Sequence, residues 1–481
     1  MGGYLLLTPK KLIYNPLFWS YSVYFRWRLV IMDRMAMNDL IKWKNKENRK
    51  PLLLYGARQV GKTYLVKEFG RKYFKDIIYV NFETNDIVAK IFEDNITPEH
   101  IIKNLELIFN KKIEADKTLI FFDEIQKNTK ALTSFKYFCE DAPNFFVIGA
   151  GSLLGVPINK KDYSFPVGKV DFLTIYPLSF EEFLINIDSG LLLNKIRECF
   201  QNDTKMDEVI HNRALGLYYD YLTVGGMPEA LSEYIRSGSL VSSADYQRAI
   251  IEAYKNDITK YAPDASMANR IIATFNSIPV QLAKDNKKFQ YKFIQKGGTS
   301  GIFGDAINWL INAGIVNSCV KTKIGVPLKM YEEMDSFKLY MNDVGLLTNL
   351  SEFPLYLIHN REAVNEMMMG MLTENYVASA LKYNGVNLNY FKNDFDSEID
   401  FILQSEKGNI IPLEVKSSTH TRSRSLFNYV KEYEPKYAIR VSAKNFGFVN
   451  GIKSVPLYAV FCINKDSLDE QIDKGERNNK E

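Results

Sequence analysis

Apolar residues occur along this chain either in short uninterrupted runs or at helical spacing. Three uninterrupted runs predict parallel strands buried on both faces; they are residues 51–55, 118–122 and 145–151. A helical pattern begins at Tyr64, shortly after the first run. Strands that alternate with helices predict an α/β domain with a parallel sheet.

The pattern then becomes mainly helical before strand-like runs return. The predicted helices are residues 191–200, 245–261 and 301–312, with a break at residues 225–228 and a stop at Gly314. The strand-like runs are residues 315–323, 337–342, 397–403 and 411–416. These elements predict a helical region followed by a smaller α/β domain.

Between the first strand and the first helix lies the phosphate-binding pattern G-x-x-x-x-G-K-[ST]. Its residues are Gly56, Ala57, Arg58, Gln59, Val60, Gly61, Lys62 and Thr63. Glycines let backbone N–H groups approach phosphates, and a helix N-terminus favours an anion. We expect Lys62 to neutralise the β- and γ-phosphates of ATP and the Thr63 hydroxyl to ligate Mg²⁺.

The second strand ends in two carboxylates, Asp123 and Glu124. An acidic pair at a strand end beside a phosphate-binding loop is typical of the Walker B arrangement. We expect Asp123 to hold Mg²⁺ through water and Glu124 to orient or deprotonate the attacking water, so Lys62 and Glu124 are the predicted catalytic residues. The third strand ends at Ser152, which is either a sensor of the γ-phosphate or part of a Gly-Ser turn.

Several segments together resemble the prokaryotic AAA-type P-loop ATPases. They are LLLYGARQVGKT, LIFFDEIQ, VIGAGSLL and LTIYPLSFEEFL, followed by YLTVGGMPEAL, FKLYMNDVGLL and TENYVASAL, which resemble the family's C-terminal region. The resemblance runs from about residue 32 to about residue 460 and implies ATP binding and several domains. At Gly168-Lys169 the family has Gly-Arg, and lysine lacks the planar fork of an arginine acting on a neighbour's nucleotide. The sequence therefore leaves open whether the chain forms a homo-oligomer.

The helix at residues 301–312 and the two strand-like runs after it have the order of a winged helix. Five lysines precede this helix and could meet phosphates; they are Lys284, Lys287, Lys288, Lys292 and Lys296. The helix itself carries no Arg or Lys. A structural winged helix with solvated lysines is therefore an equal alternative.

The last part of the chain resembles the PD-(D/E)XK nuclease fold. The matching residues are Glu374 on a helix, Asp400 on a strand, and Glu414 and Lys416 on the next strand. Residues i and i+2 of a strand face the same side, so Glu414 and Lys416 project together. Asp400 and Glu414 could then chelate one Mg²⁺ while Lys416 positions the hydrolytic water. The alternatives are a hairpin with a surface ion pair and a fold kept only for binding.

Composition adds little to this picture. The 481 residues include 61 basic and 57 acidic ones, and a net charge of +4 does not by itself identify a nucleic-acid binder. The four cysteines lie far apart, which predicts reduced thiols in a cytoplasmic protein. The uncharged run at residues 12–25 is shorter than the roughly 20 residues of a membrane-spanning helix. It is either a membrane-surface segment or, as we favour, sequence upstream of a start at Met32.

Together these features predict an AAA-type ATPase that uses ATP and Mg²⁺, with DNA as a candidate partner and no membrane. Nucleotide state would be coupled to winged-helix and nuclease-like domains. The alternative is a nucleotide-dependent signalling switch whose C-terminal domains bind protein or nucleic acid without cleavage. The predicted domains are an extension (1–31), the ATPase (32–200), a helical and winged-helix region (201–355), a nuclease-like domain (356–465) and a charged tail (466–481).

Overall fold

The computed structural model describes residues 32–152, 165–360, 366–393, 397–419 and 424–478. The predicted extension at residues 1–31 lies outside this part of the chain. Within the described residues, no helix has the length and apolar character needed to cross a membrane.

The first part of the chain is a three-layer α/β unit. Its elements are α1 (Ala36–Lys44), β1 (Leu52–Tyr55), α2 (Lys62–Tyr73), β2 (Asp76–Asn81), α3 (Asp86–Asp94), α4 (Pro98–Phe109), β3 (Thr118–Asp123), α5 (Thr129–Asp141), β4 (Phe146–Ala150) and β5 (Asp171–Thr174). The strands form a parallel sheet in the order β2-β3-β4-β1-β5. The predicted α/β class is confirmed.

The two faces of this sheet bury separate apolar layers. On one face, Leu54 and Phe121 belong to a core shared with Phe69 of α2. On the other, Phe122 packs in a core with Phe135 of α5. Both faces of β3 and β4 are buried, which explains why these strands read as uninterrupted apolar runs.

A helical region follows the sheet. It contains α6 (Phe180–Asn186), α7 (Gly190–Asn202), α8 (Glu208–Val224), α9 (Pro228–Ser237), α10 (Leu240–Tyr261) and α11 (Ala265–Leu282). The predicted break lies between α8 and α9. A Cβ added at Gly226 would stand 1.9 Å from the carbonyl oxygen of Leu178, so glycine is required where this turn meets the segment before α6.

The remaining elements build a mixed sheet with flanking helices. They are α12 (Ser300–Asn312), β6 (Val316–Thr322), β7 (Glu332–Met341), α13 (Val344–Leu350), α14 (Glu366–Tyr383), β8 (Asn389–Lys392), β9 (Glu398–Gln404), β10 (Ile410–Val415), α15 (Arg424–Tyr433), β11 (Ala438–Ser442), β12 (Gly447–Val449), β13 (Ile452–Pro456) and α16 (Lys465–Asn478). The eight strands lie in the order β12-β13-β11-β10-β9-β8-β6-β7.

The β6–β7 hairpin is part of this large sheet. α12, β6 and β7 follow the helix-strand-strand order of a winged helix, and β6 and β7 pair antiparallel. However, β6 also pairs with β8, where Val320 lies opposite Asn389. Strands from both sides of residue 355, the predicted domain boundary, therefore belong to one sheet. The predicted charged tail begins within α16, where Leu468 and Ile472 are buried in the core.

Candidate functional site

The phosphate-binding loop connects β1 to α2, as its pattern predicts. Gly56 has φ +138°, and a Cβ there would stand 2.1 Å from the carbonyl oxygen of Ile175. Gly61 has φ +90° and directly precedes α2. Only glycine adopts these conformations without strain, and both let the loop turn sharply into the helix N-terminus.

Lys62 is buried beneath this loop. Its Nζ donates hydrogen bonds to the carbonyl oxygens of Gly56 and Ala57, both at 2.8 Å. Burial lowers the pKa of Lys62 to about 8, although the charges of Glu124 and Asp123 oppose this shift. An anionic phosphate would add a further partner that favours the charged form.

Thr63 and Asp123 meet although they are distant in sequence. The Thr63 hydroxyl donates to Asp123 Oδ2 at 2.8 Å, and the Tyr79 hydroxyl donates to the same oxygen at 3.1 Å. Hard oxygen atoms of this kind are the ligands that Mg²⁺ prefers. The two predicted metal residues therefore fit the ion by donor type and by position.

Glu124 follows Asp123 in a left-handed conformation with φ +52°. Burial raises the pKa of its carboxyl group, while a hydrogen bond from Gln126 Nε2 at 2.5 Å lowers it in part. A buried carboxylate with a raised pKa is better suited to accept a proton near neutral pH than an exposed one. The environment thus suits the predicted role of Glu124 as a base.

A cavity of about 470 Å³ lies over these residues. Its walls are formed by Met32, Arg34, Arg58, Gln59, Gly61, Lys62, Thr63, Tyr64, Asp123, Glu124, Ser152, Pro228, Glu229 and Ser232. Ser152 lines this cavity together with Lys62 and Glu124, so its role as a sensor of the γ-phosphate stays a prediction. Gly56, Ala57 and Val60 form the turn beneath the cavity and are absent from its walls.

A second cluster of charged residues forms on the mixed sheet. Glu374 of α14 accepts hydrogen bonds from Lys338 Nζ at 3.0 Å and from the Tyr340 hydroxyl at 2.5 Å, both to Oε1. Lys287 pairs with its other oxygen, Oε2. Lys338 is fully buried and also pairs with Glu398 at 2.7 Å. Burial disfavours the charged carboxylate, but the two lysines outweigh it and lower the pKa of Glu374.

The other three nuclease-like residues join this cluster. Asp400 Oδ2 accepts a hydrogen bond from the Val415 N–H at 2.7 Å. Burial, with the charges of Glu374 and Glu414, raises the pKa of Asp400. Lys416 pairs with Glu414 Oε1 at 2.6 Å, while Glu414 Oε2 is buried without a hydrogen-bond partner. Within the described ranges, however, no group of three or more His, Cys, Asp or Glu residues is arranged to hold a metal ion.

Comparison with known families divides the chain into three matched segments. Residues 48–184 match the family model described as an AAA domain. This segment, called the AAA domain from here on, is thus similar to AAA domains. Residues 215–355 and 369–460 match two models described as domains of unknown function, DUF8612 and DUF4143.

An uncharacterized protein of Methanocaldococcus jannaschii is 25% identical over 423 residues, which cover 84% of each chain. A Walker-type ATPase of Pyrococcus abyssi is 16% identical, with a TM-score of 0.42, and covers 66% of this chain and 96% of its own. AMPPCP-bound DnaA from Aquifex aeolicus is 15% identical, with a TM-score of 0.26, and covers 58% and 88%. At these identities and TM-scores, the likenesses assign no activity to this chain.

The AAA domain makes two contacts with other segments of the chain that no sequence motif predicts. Arg34 donates hydrogen bonds to the carbonyl oxygens of Val60 at 2.8 Å and Tyr176 at 2.7 Å, and pairs with Glu182 at 3.2 Å. This buried arginine therefore ties the segment before α1 to the phosphate-binding loop. It belongs to no motif, so the sequence does not single it out.

The helical region also holds the loop of the AAA domain directly. Arg58 forms an ion pair with Asp257 of α10, and the Tyr254 hydroxyl donates to the Arg58 carbonyl oxygen at 3.1 Å. These partners are nearly 200 residues apart in sequence, so no local pattern predicts their contact. Lys169, where the family resemblance expects arginine, pairs with the exposed Glu140 of its own chain at 2.8 Å.

Proposed function

We propose that the chain is a Mg²⁺-dependent ATPase. The observation that carries this proposal is the 2.8 Å contact between Thr63 and Asp123, in one cavity with Lys62 and Glu124. Thr63 and Asp123 would hold the ion through their side-chain oxygens. Lys62 neutralises the β- and γ-phosphates, and Glu124 accepts a proton from the attacking water. Bound Mg²⁺ supplies neutralisation of the phosphate charge.

We also propose that the nucleotide state of the AAA domain is coupled to the helical region. Pro228, Glu229 and Ser232 of α9 line the same cavity as Lys62. Asp257 of α10 pairs with an arginine of the phosphate-binding loop. A change at the γ-phosphate would therefore act on two helices outside the AAA domain.

Hydrolysis of ATP by the full chain tests the proposal. Phosphate release is measured with Mg²⁺ for the wild type, for Glu124→Gln and for Glu140→Gln, which changes an exposed carboxylate of the same domain. We expect Glu124→Gln to bind ATP but to turn over on the order of a hundredfold more slowly, since it loses a positioned base. Glu140→Gln should match the wild type. Wild-type turnover in Glu124→Gln would exclude Glu124 as the catalytic carboxylate.

For the C-terminal cluster we propose DNA as the substrate class, with Asp400 and Glu414 holding Mg²⁺ and Lys416 beside the attacked phosphate. The free buried oxygen of Glu414 supports this assignment, because it has an acceptor without a partner. Lys284, Lys288, Lys292 and Lys296 would contact the phosphate backbone. Lys287, which was expected among them, instead pairs with Glu374 inside the cluster.

The second candidate function is a nucleotide-dependent switch that binds DNA or protein without cutting. The specific observation in its favour is that Lys287 and Lys338 already neutralise Glu374. A Mg²⁺-dependent cleavage assay on single- and double-stranded DNA, with and without ATP, separates the two candidates. Cleavage that disappears in Asp400→Asn supports the nuclease. DNA binding without cleavage supports the switch.

A further inference from the structure

Arg58 of the phosphate-binding loop faces both the cavity and α10. It lines the cavity together with Lys62 and Glu124. It also forms the ion pair with Asp257 of α10. Burial lowers the pKa of Lys62, and the nearby charge of Arg58 lowers it further. The guanidinium group therefore lies close enough to act on the ammonium group that we assign to the β- and γ-phosphates.

The backbone and the side chain of Arg58 are held in different ways. The backbone carbonyl oxygen accepts a hydrogen bond from the buried Tyr254 hydroxyl at 3.1 Å. The side chain is 39% exposed and pairs with Asp257 through Nη1. Solvent screens an ion pair of this exposure, so the side chain can leave Asp257 at little cost while the backbone stays in place. A guanidinium group has several N–H donors, which suit the oxygens of a phosphate.

Asp257 has a second cation close to it. Burial raises the pKa of this carboxyl group, whereas the charges of Arg58 and Lys260 lower it. Lys260 follows on the same helix and is paired with Glu83 at 3.0 Å. Glu83 in turn lies 4.0 Å from Lys127. If Arg58 leaves, Lys260 can turn to Asp257 and Lys127 can keep Glu83 paired, so neither carboxylate is left without a cation.

We infer that Arg58 contacts the γ-phosphate of bound ATP and pairs with Asp257 only while that phosphate is absent. Asp257 then competes with the nucleotide for one guanidinium group, and α10 loses this tie to the loop when ATP binds. The inference rests on the proposed ATPase function. It deepens that function by naming the residue that distinguishes ATP from ADP and the carboxylate that opposes it.

Nucleotide binding by the full chain with Mg²⁺ tests the inference. The probes are fluorescent ADP and a fluorescent β,γ-imido analogue of ATP, which keeps the γ-phosphate and is not hydrolysed. We expect Arg58→Gln to weaken binding of the ATP analogue about tenfold or more, because it loses charge-assisted hydrogen bonds, and to leave ADP binding unchanged. We expect Asp257→Asn to bind the ATP analogue about threefold more tightly, because the competing pair is lost.

Two control variants change exposed charges on neighbouring helices. Arg71→Gln lies on α2 and Glu252→Gln lies on α10, and both should bind the two nucleotides as the wild type does. A variant that still binds ADP is folded at the nucleotide site, and the melting temperature of each variant checks the rest of the chain.

The outcomes separate the inference from the function on which it rests. If Arg58→Gln weakens both nucleotides equally, or neither, Arg58 does not contact the γ-phosphate and the inference is overturned. If Asp257→Asn leaves the affinity for the ATP analogue unchanged or lower, competition by Asp257 is overturned. If the wild type binds neither nucleotide, the proposed ATPase function and the inference fall together.

Discussion

Asp343 accepts a hydrogen bond from the backbone N–H of Gly226 at 2.6 Å, although 117 positions separate the two residues. The same carboxylate caps α13 through the N–H of Leu346 at 2.9 Å. Gly226 lies two residues before α9, which lines the nucleotide cavity. The contact therefore connects the end of the β6–β7 hairpin to a helix that lines the cavity over Lys62.

Stability should depend on pH through Asp343. Burial raises its pKa from 3.8 to about 6, so between these values the folded chain keeps a proton that the unfolded chain has lost. The free energy of unfolding contributed by this group therefore falls as pH rises from about 4 to about 6. The difference between the two pKa values corresponds to a loss of about 3 kcal/mol in the free energy of unfolding.

Urea denaturation of the wild type and Asp343→Asn between pH 4 and pH 7 measures this dependence. The free energy of unfolding of the wild type should fall relative to that of Asp343→Asn as pH rises from about 4 to about 6. Asp335→Asn, which alters an exposed carboxylate of the same hairpin, is the control. A difference independent of pH would show that Asp343 ionises normally in the folded chain.

Nucleotide binding should depend on Lys62. Lys62→Ala removes the buried cation that faces the phosphates, so we expect binding of a fluorescent ATP analogue to be lost. Lys72→Ala removes an exposed lysine from the same helix and should leave the affinity unchanged. Retained binding by a folded Lys62→Ala protein would contradict the assigned role.

The ion pair between Arg58 and Asp257 should stabilise the contact between loop and α10 by a modest amount. The arginine side chain is 39% exposed, so solvent screens the interaction and we expect a coupling energy of about 0.5–1 kcal/mol. A double-mutant cycle with Arg58→Ala and Asp257→Ala, measured by urea denaturation, gives this energy. Additive effects of the two substitutions would show that the pair contributes nothing.

Lys338→Met should destabilise the mixed sheet strongly. The substitution leaves Glu374 and Glu398 without their buried partner, and breaking such a pair typically costs about 3–5 kcal/mol. Lys321→Met, on the same hairpin, removes a partly exposed pair with Glu333 and should cost about 1 kcal/mol or less. If both variants lose the same free energy of unfolding, the buried pairs of Lys338 stabilise the sheet no more than the partly exposed pair of Lys321 does.

The parts of the site that the sequence predicts are those built from neighbours along the chain. Lys62 and Thr63 follow their glycines directly, and Asp123 ends an apolar strand, so each has a local signature. Arg34, in the segment before α1, and Asp257, on α10, also reach this loop and have no such signature. Their positions depend on how the helical region packs, which no short pattern encodes.

The C-terminal cluster divides in the same way. The resemblance to the PD-(D/E)XK order named Glu374, Asp400, Glu414 and Lys416, and strand alternation put Glu414 and Lys416 on one side. The structure brings these four residues together. Lys287 and Lys338 could not be placed in the cluster, because their partner lies on a helix far along the chain. The pairing of Val320 with Asn389 could not be predicted either, since it joins parallel strands that β7, α13 and α14 separate along the chain.

That pairing decides where the chain can be divided. Residues 356–481 expressed alone would lack β6 and β7 and would leave the N–H and C=O groups of β8 open along one edge. An uncovered edge of this kind is a template for another strand, so the isolated piece should self-associate or precipitate. Starting the fragment at residue 300 would keep the hairpin beside β8 and give it a protected edge.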